Sequence, residues 1–160
     1  MGSQSMQSKL WGQRPNDWAT LQEPTGNSGY EYALEFLQPK QSDKMLDIGC
    51  GSGLFATLAA KLCADVTGFD ATEQLIKEAK LRNPSVYFLT GEMEELPFDD
   101  NIFDIVSGFN SFQYAADVKH ALSEATRVLK DKGKLVVMIW GDKEDCEALT
   151  YLKAVGSLLP

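Results

Sequence analysis

The stretch Met45-Leu46-Asp47-Ile48-Gly49-Cys50-Gly51-Ser52-Gly53 decides the fold. It reads as a short apolar strand running into a glycine-rich turn, with a helix starting immediately behind it. Glycines at alternate positions permit a sharp bend and leave no side chain between the backbone and a ligand. The helix N-terminus that follows offers unpaired N–H groups to a polar or anionic group. Such a turn suits a nucleotide-like cofactor, and the surrounding chain narrows which one.

Downstream the chain alternates between strand and helix. Gly53 to Cys63 reads as a helix with Leu54, Leu58 and Leu62 on one face, and Val66 to Phe69 as a second strand ending at Asp70. Thr72 to Leu81 is a helix stopped by Asn83-Pro84, and Val86 to Leu89 is a third strand. Gly91 to Asn101 is turn-rich and contains the acidic run Glu92 to Glu95. Phe103 to Ser107 is apolar enough for a strand buried on both faces. Asp117 caps a helix carrying Val118, Leu122, Ala125 and Leu129, which Asp131-Lys132-Gly133 closes. Leu135 to Trp140 is the most strand-like run, and a further helix is expected from Asp142. Repeated strand–helix units imply a doubly wound, mostly parallel α/β sheet. Ligands of such sheets bind outside the carboxyl ends of the strands, where strand order reverses. Gly49, Asp70, Glu92 and Asn110 all fall at or just past such ends.

Upstream, residues 1–29 read as an arm and 30–160 as the binding domain. Met1 to Ser8 reads as poorly ordered, and Lys9 to Gly29 as a polar arm anchored by Trp11, Trp18 and Leu21. Tyr30, Ala33, Leu34 and Leu37 share one helical face, and Pro39 ends that helix. The arm either lies over the domain as a lid or simply packs against the sheet.

The composition bounds the alternatives. At 160 residues the chain is one domain's worth of protein, and 44% hydrophobic with 24% charged residues is ordinary globular composition. A net charge of −8 disfavours nonspecific nucleic-acid binding and anionic membrane surfaces, both of which need positive charge. The first residues lack the apolar core of a signal peptide. Cys50, Cys63 and Cys146 lack framework spacing, so reduced thiols in a cytoplasmic protein are expected.

Glycine spacing discriminates between cofactors. A nicotinamide-binding turn needs G-x-G-x-x-G, but here the third glycine arrives one place early, at Gly53, with Leu54 in the expected place. Asp47 would sit badly beside a pyrophosphate and well near a sulfonium or ammonium group. No G-K-[ST] follows, which excludes a phosphate-cradling NTPase loop. The turn therefore favours S-adenosylmethionine.

The chain resembles the class I S-adenosylmethionine-dependent methyltransferases of the type 11 group, which is similar to small-molecule and quinone-biosynthesis enzymes. The resemblance spans Leu46 to Val137. It rests on five ordered motifs: Leu46 to Gly53, Val66 to Asp70, Gly91 to Phe98, Phe103 to Val106 and Glu124 to Lys130. It implies a Rossmann-like domain that transfers a methyl group and leaves S-adenosyl-L-homocysteine. Asp70 matches the residue that accepts from both ribose hydroxyls, with a helix cap as its plainer role. Glu92 and Met93 match positions beside the adenine, and the backbone from Gly49 through Cys50 and Gly51 to Gly53 faces the methionine part. Asp47, Ala71 and Phe109 complete the cofactor set. Phe109 and Asn110 would border both ligands, and Trp18, Tyr30, Phe112 and Tyr114 are the further substrate candidates. Family members continue with a helix and an antiparallel strand pair. The domain is accordingly read as incomplete at its C-terminus; if nothing followed, strand five would be an exposed apolar edge and an association hazard. A homodimer is a separate expectation.

Other residues carry less. Cys50 has no neighbouring His and fits as a small residue in a tight turn rather than a nucleophile. His120, the only histidine, falls on an outer helical face, and no metal site is expected. Asn110-Ser111-Phe112-Gln113 lacks the Asn/Asp-Pro-Pro-aromatic motif of amino-directed nucleic-acid methyltransferases. The reading is an enzyme moving a methyl group to a small molecule, with no catalytic base identified. The alternative is a non-catalytic S-adenosylmethionine-binding module.

Overall fold

The computed structural model describes residues 2–62 and 65–141. Within them, β1 (Lys44–Ile48), β2 (Asp65–Asp70), β3 (Tyr87–Thr90), β4 (Phe103–Phe109) and β5 (Leu129–Met138) form one sheet in the order β3-β2-β1-β4-β5. Every pairing is parallel. The expected doubly wound sheet is present, and strand order reverses between β1 and β4.

Side-chain alternation along β1 builds two cores. Met45 packs on one face with α3 (Asn27–Leu37), α4 (Leu54–Ala59) and α5 (Glu73–Arg82). Leu46 and Ile48 pack on the other face with α6 (Val118–Val128), Met93 and Leu96. Covered on both sides, β1 and β4 are buried at nearly every position, and their buried polar members Asp47 and Ser107 hydrogen-bond to each other. Arg127 on α6 fastens the acidic turn: its guanidinium donates to the carbonyls of Leu96 and Phe98 and pairs with Glu124 and Asp100.

Several boundaries differ from expectation. α4 ends at Ala59 and buries Phe55, Ala56 and Ala59, leaving Leu62 exposed. Small residues on that face let the helix approach the sheet closely, which the Leu54/Leu58/Leu62 stripe would not. β5 begins at Leu129, the residue read as the end of α6, because Leu129 pairs with Phe103 before Lys132 takes a left-handed φ of 62°. Pairing resumes at Lys134 opposite Ile105, so the expected closing turn is an irregularity inside β5. Ile139 and Trp140 lie past the strand and are exposed. The helix expected from Asp142, and Cys63 and Cys146, fall outside the described residues.

The arm is more structured than its composition implies. α1 (Gln4–Trp11) and α2 (Pro15–Asp17) lead into a π-turn over Trp18–Gln22 and a 3-10 turn over Glu23–Gly26. Leu21, read as an anchor, is 70% exposed; Trp11, Trp18 and the buried Glu23 hold the arm instead.

Candidate functional site

The turn after β1 is held in a shape that few residues besides glycine adopt readily. Gly49, Gly51 and Gly53 have φ of 74°, 55° and 78°. A β-carbon on Gly49 would come within 2.2 Å of Ser111 Cβ, and one on Gly53 within 2.9 Å of Ala79 and Phe88. The turn is hung from β2, with both Gly49 N and Cys50 N donating to the Phe69 carbonyl. Asp70, buried at the end of β2, accepts from Gly51 N at 3.0 Å through one oxygen and from Thr72 N at 2.8 Å through the other. Burial raises its pKa, opposed by these backbone bonds. Each oxygen keeps capacity for another donor.

A narrow cleft opens over this turn. Gly49, Gly51, Asp70, Ala71, Met93 and Phe109 line it, with Thr72, Leu75 and Ser111 beside them. The arm and the segment after β4 complete the wall with Gln7, Trp11, Trp18, Asn110 and Tyr114. A larger cavity adjoins it, lined by Tyr30, Thr25, Met138 and Trp140 among others. Trp11, Trp18, Phe109, Asn110 and Tyr114 belong to both. Asn110 takes a left-handed φ of 49°, and its buried Oδ1 has no hydrogen-bond partner among the described residues.

Other sequence candidates lie elsewhere. Asp47 points into the core beneath the turn and accepts from Ser107 Oγ at 2.9 Å, its register neighbour on β4. Burial pushes its carboxyl up to about 7. Cys50 also faces inward, against Gly68, and burial drives its thiol well above the usual value, which suits the spatial reading of that residue. Gly53 packs on α5 and β3 behind the turn. Phe112 is 2% exposed in the second core and lines neither cavity, because the turn over Phe112–Tyr114 points it inward. Glu92 is expected beside an adenine, but its carboxylate accepts from Gln4 N at 2.7 Å and Ser3 Oγ at 3.4 Å. It thus binds the positive first turn of α1. Burial, reinforced by Glu23 and Asp47, raises the pKa of Tyr30, which keeps its phenol protonated near neutrality.

Sequence reasoning missed the cluster that docks the arm. Glu23, 4% exposed, pairs with Arg82 of α5 and accepts from Ser52 Oγ. Arg82 also donates to the Ser52 carbonyl at 2.7 Å and the Ala19 carbonyl at 2.9 Å. A Glu among polar arm residues and an Arg at the end of an amphipathic helix carry no periodic signal. The one available hint was Ser52, a polar residue inside a buried turn.

The buried Asp47 gives a stability test. Its carboxyl titrates near 7 in the fold against about 3.9 in the unfolded chain, so the folded state binds the extra proton between those values. Stability contributed at this site therefore falls as pH rises from about 4 to about 7. Asp47→Asn removes that dependence, so the melting temperature of the variant relative to the parent climbs across this window and levels above it. Thermal melts at pH 4.5, 6 and 8 check this; a difference independent of pH contradicts it.

A parallel sheet with a glycine cradle and a buried carboxylate at adjacent strand ends defines a Rossmann-like nucleoside-binding domain. The family model described as "Methyltransferase domain" matches residues 46–137, and the chain belongs to that methyltransferase family. The malonyl-[acyl-carrier protein] O-methyltransferase of Buchnera aphidicola is 38% identical over 92 residues, 58% of this chain and 37% of that protein. The demethylmenaquinone methyltransferase of Chlorobaculum tepidum is 35% identical over 102 residues, 63% of this chain and 42% of its own length. The YcgJ protein of Bacillus subtilis superposes with a TM-score of 0.68 at 28% identity, covering 69% of this chain and 50% of its own. The chain thus spans well under half the length of these two curated relatives. The cofactor that goes with this membership is S-adenosyl-L-methionine. Among the described residues no helix is long and apolar enough to cross a membrane.

Proposed function

We propose that the protein is an S-adenosylmethionine-dependent methyltransferase acting on a small, largely apolar or aromatic acceptor. The observation that carries this reading is the pair of adjoining cavities. Methyl transfer by in-line displacement needs donor and acceptor pockets that meet at one point, and here they share the wall of Trp11, Trp18, Phe109, Asn110 and Tyr114. The residues present suit the cofactor. Asp70 has spare acceptor capacity for ribose hydroxyls, the glycine turn exposes bare backbone, and Met93 offers an apolar surface for a base. When bound, S-adenosylmethionine supplies an electrophilic methyl group on a sulfonium. The protein positions the acceptor and excludes water, and orientation can contribute up to roughly 7–11 kcal/mol of the barrier. The orphaned Asn110 Oδ1 would take a hydrogen bond from an acceptor O–H or N–H at the shared wall.

The aromatic lining of the larger cavity, and the quinone named for one relative, favour a planar acceptor. A small-molecule partner, without nucleic acid or membrane, suits the acidic charge, and a homodimer is part of the same proposal. Methyl release from S-adenosylmethionine, assayed with a panel of quinols, phenols and carboxylates, tests it. Turnover with a quinol or phenol is expected. Cofactor binding without turnover on any acceptor would support the non-catalytic binding module instead.

A further inference from the structure

Taking the cleft as an S-adenosylmethionine site, on which the following rests, we propose that Trp18 and Glu23 of the arm bind the amino-acid end of the cofactor above Gly51. The indole N–H would meet the α-carboxylate, and the Glu23 carboxylate the α-ammonium.

Two polar groups converge on one bare point of backbone. A β-carbon built on Gly51 would lie 3.0 Å from Trp18 Nε1 and 3.1 Å from Glu23 Oε1. Trp18 Nε1 is buried and has no hydrogen-bond partner among the described residues. An indole nitrogen can only donate, so this N–H calls for an acceptor that the described residues do not supply. Glu23 shows the opposite deficit. Its Oε2 takes the bonds from Arg82 and Ser52, whereas Oε1 accepts only a long one, from Leu54 N at 3.4 Å. A carboxylate offers about four acceptor positions, so Oε1 remains under-used. An unpaired donor and an under-used anionic acceptor, side by side, complement a zwitterion, which brings one carboxylate and one ammonium group.

The arm holds both groups in place. Arg82 fixes Glu23 and the Ala19 carbonyl together, and the Trp18 ring packs edge-on against Trp11 at 4.9 Å. Asp70 lies across the same turn, accepting from Gly51 N, so the nucleoside end would face β2 while the amino-acid end faces the arm. The arm would then be a wall of the cofactor site, and closure of the arm would depend on the charged end of the ligand.

Calorimetric titration with S-adenosylhomocysteine and with 5′-methylthioadenosine, which lacks the amino-acid end, tests the assignment. The parent is expected to prefer S-adenosylhomocysteine strongly. Trp18→Phe keeps one aromatic ring against Trp11 but removes the N–H together with the five-membered ring that carries it, so 5′-methylthioadenosine serves as the control for lost packing. The substitution should weaken S-adenosylhomocysteine roughly tenfold or more, as for one charge-assisted hydrogen bond, and leave 5′-methylthioadenosine within about twofold. Glu23→Gln, which retains acceptors for Arg82 and Ser52, should narrow the same preference. If Trp18→Phe binds both ligands as the parent does, or weakens both equally, the assignment is overturned while the cofactor reading stands. If the parent itself binds neither ligand, the cofactor reading fails and takes the assignment with it.

Discussion

Asp70→Asn is expected to lower affinity for S-adenosylhomocysteine by roughly a hundredfold or more, the loss of charge-assisted bonds to two hydroxyls at about 1.5–3 kcal/mol each. It should also destabilise the protein, for a reason independent of any ligand. Both Asp70 oxygens already accept backbone N–H groups, from Gly51 and Thr72. Asparagine has one oxygen, so its amide N–H₂ must face one of those donors, leaving a buried N–H unpaired at about 1–3 kcal/mol. The two effects separate experimentally: thermal melts without ligand report the turn, and calorimetry below the melting temperature reports the site. In the parent protein, burial raises the pKa of Asp70, so acid should weaken cofactor binding as protonation removes acceptor capacity. That acid limb should vanish in the variant. Parent-like affinity in a folded Asp70→Asn protein would remove Asp70 from the site.

The glycine turn and its neighbours were legible in the sequence because their reasons are local. Three glycines with positive φ occupy alternate places, and an acidic residue closes the next apolar strand. Neither depends on distant residues. The two-sided core was legible too, since a strand covered on both faces leaves little room for polar residues. What sequence could not show was direction. Asp47, Cys50 and Gly53 sit in the same turn as Gly49 and Gly51, yet strand alternation and turn geometry aim them at the core rather than at the cleft. Phe112 is diverted in the same way, by a single 3-10 turn. Glu92 illustrates a further limit: whether a carboxylate is free for a ligand depends on what packs over it, and here that is a helix 88 positions earlier in the chain. The Leu129 boundary was missed because helical spacing and strand pairing both accept a leucine there, and only pairing with Phe103 decides between them.

Arg82→Met should release the arm. The parent buries the Glu23 carboxylate, with only 3% of its side chain exposed, against an Arg82 side chain that keeps 24% exposure. Methionine preserves much of the aliphatic volume over α5 but leaves Glu23 charged and short of its cationic partner. Breaking a fully buried pair costs about 3–5 kcal/mol; partial access of Arg82 to water should bring this to about 2–4 kcal/mol. The chain can avoid most of that cost by lifting residues 15–26 and the Glu23 carboxylate into solvent, while α1 stays tied to Glu92 through Gln4 N and to the Tyr114 carbonyl through Gln7. The expected result is therefore not global unfolding but faster amide exchange over residues 15–26, with β1, β2 and β4 protected as in the parent. The Ser52 and Ala19 carbonyls lose their Arg82 donors as well, which makes reclosure less favourable. Hydrogen-exchange mass spectrometry reads both regions at once, and addition of S-adenosylhomocysteine extends the test. If the arm contacts the cofactor, ligand should slow exchange over residues 15–26 in the parent and less so in Arg82→Met. Unchanged exchange in the variant would mean that the aromatic packing of Trp11 and Trp18, with the Glu92 and Tyr114 contacts of α1, holds the arm, and that the Glu23–Arg82 pair is not its latch.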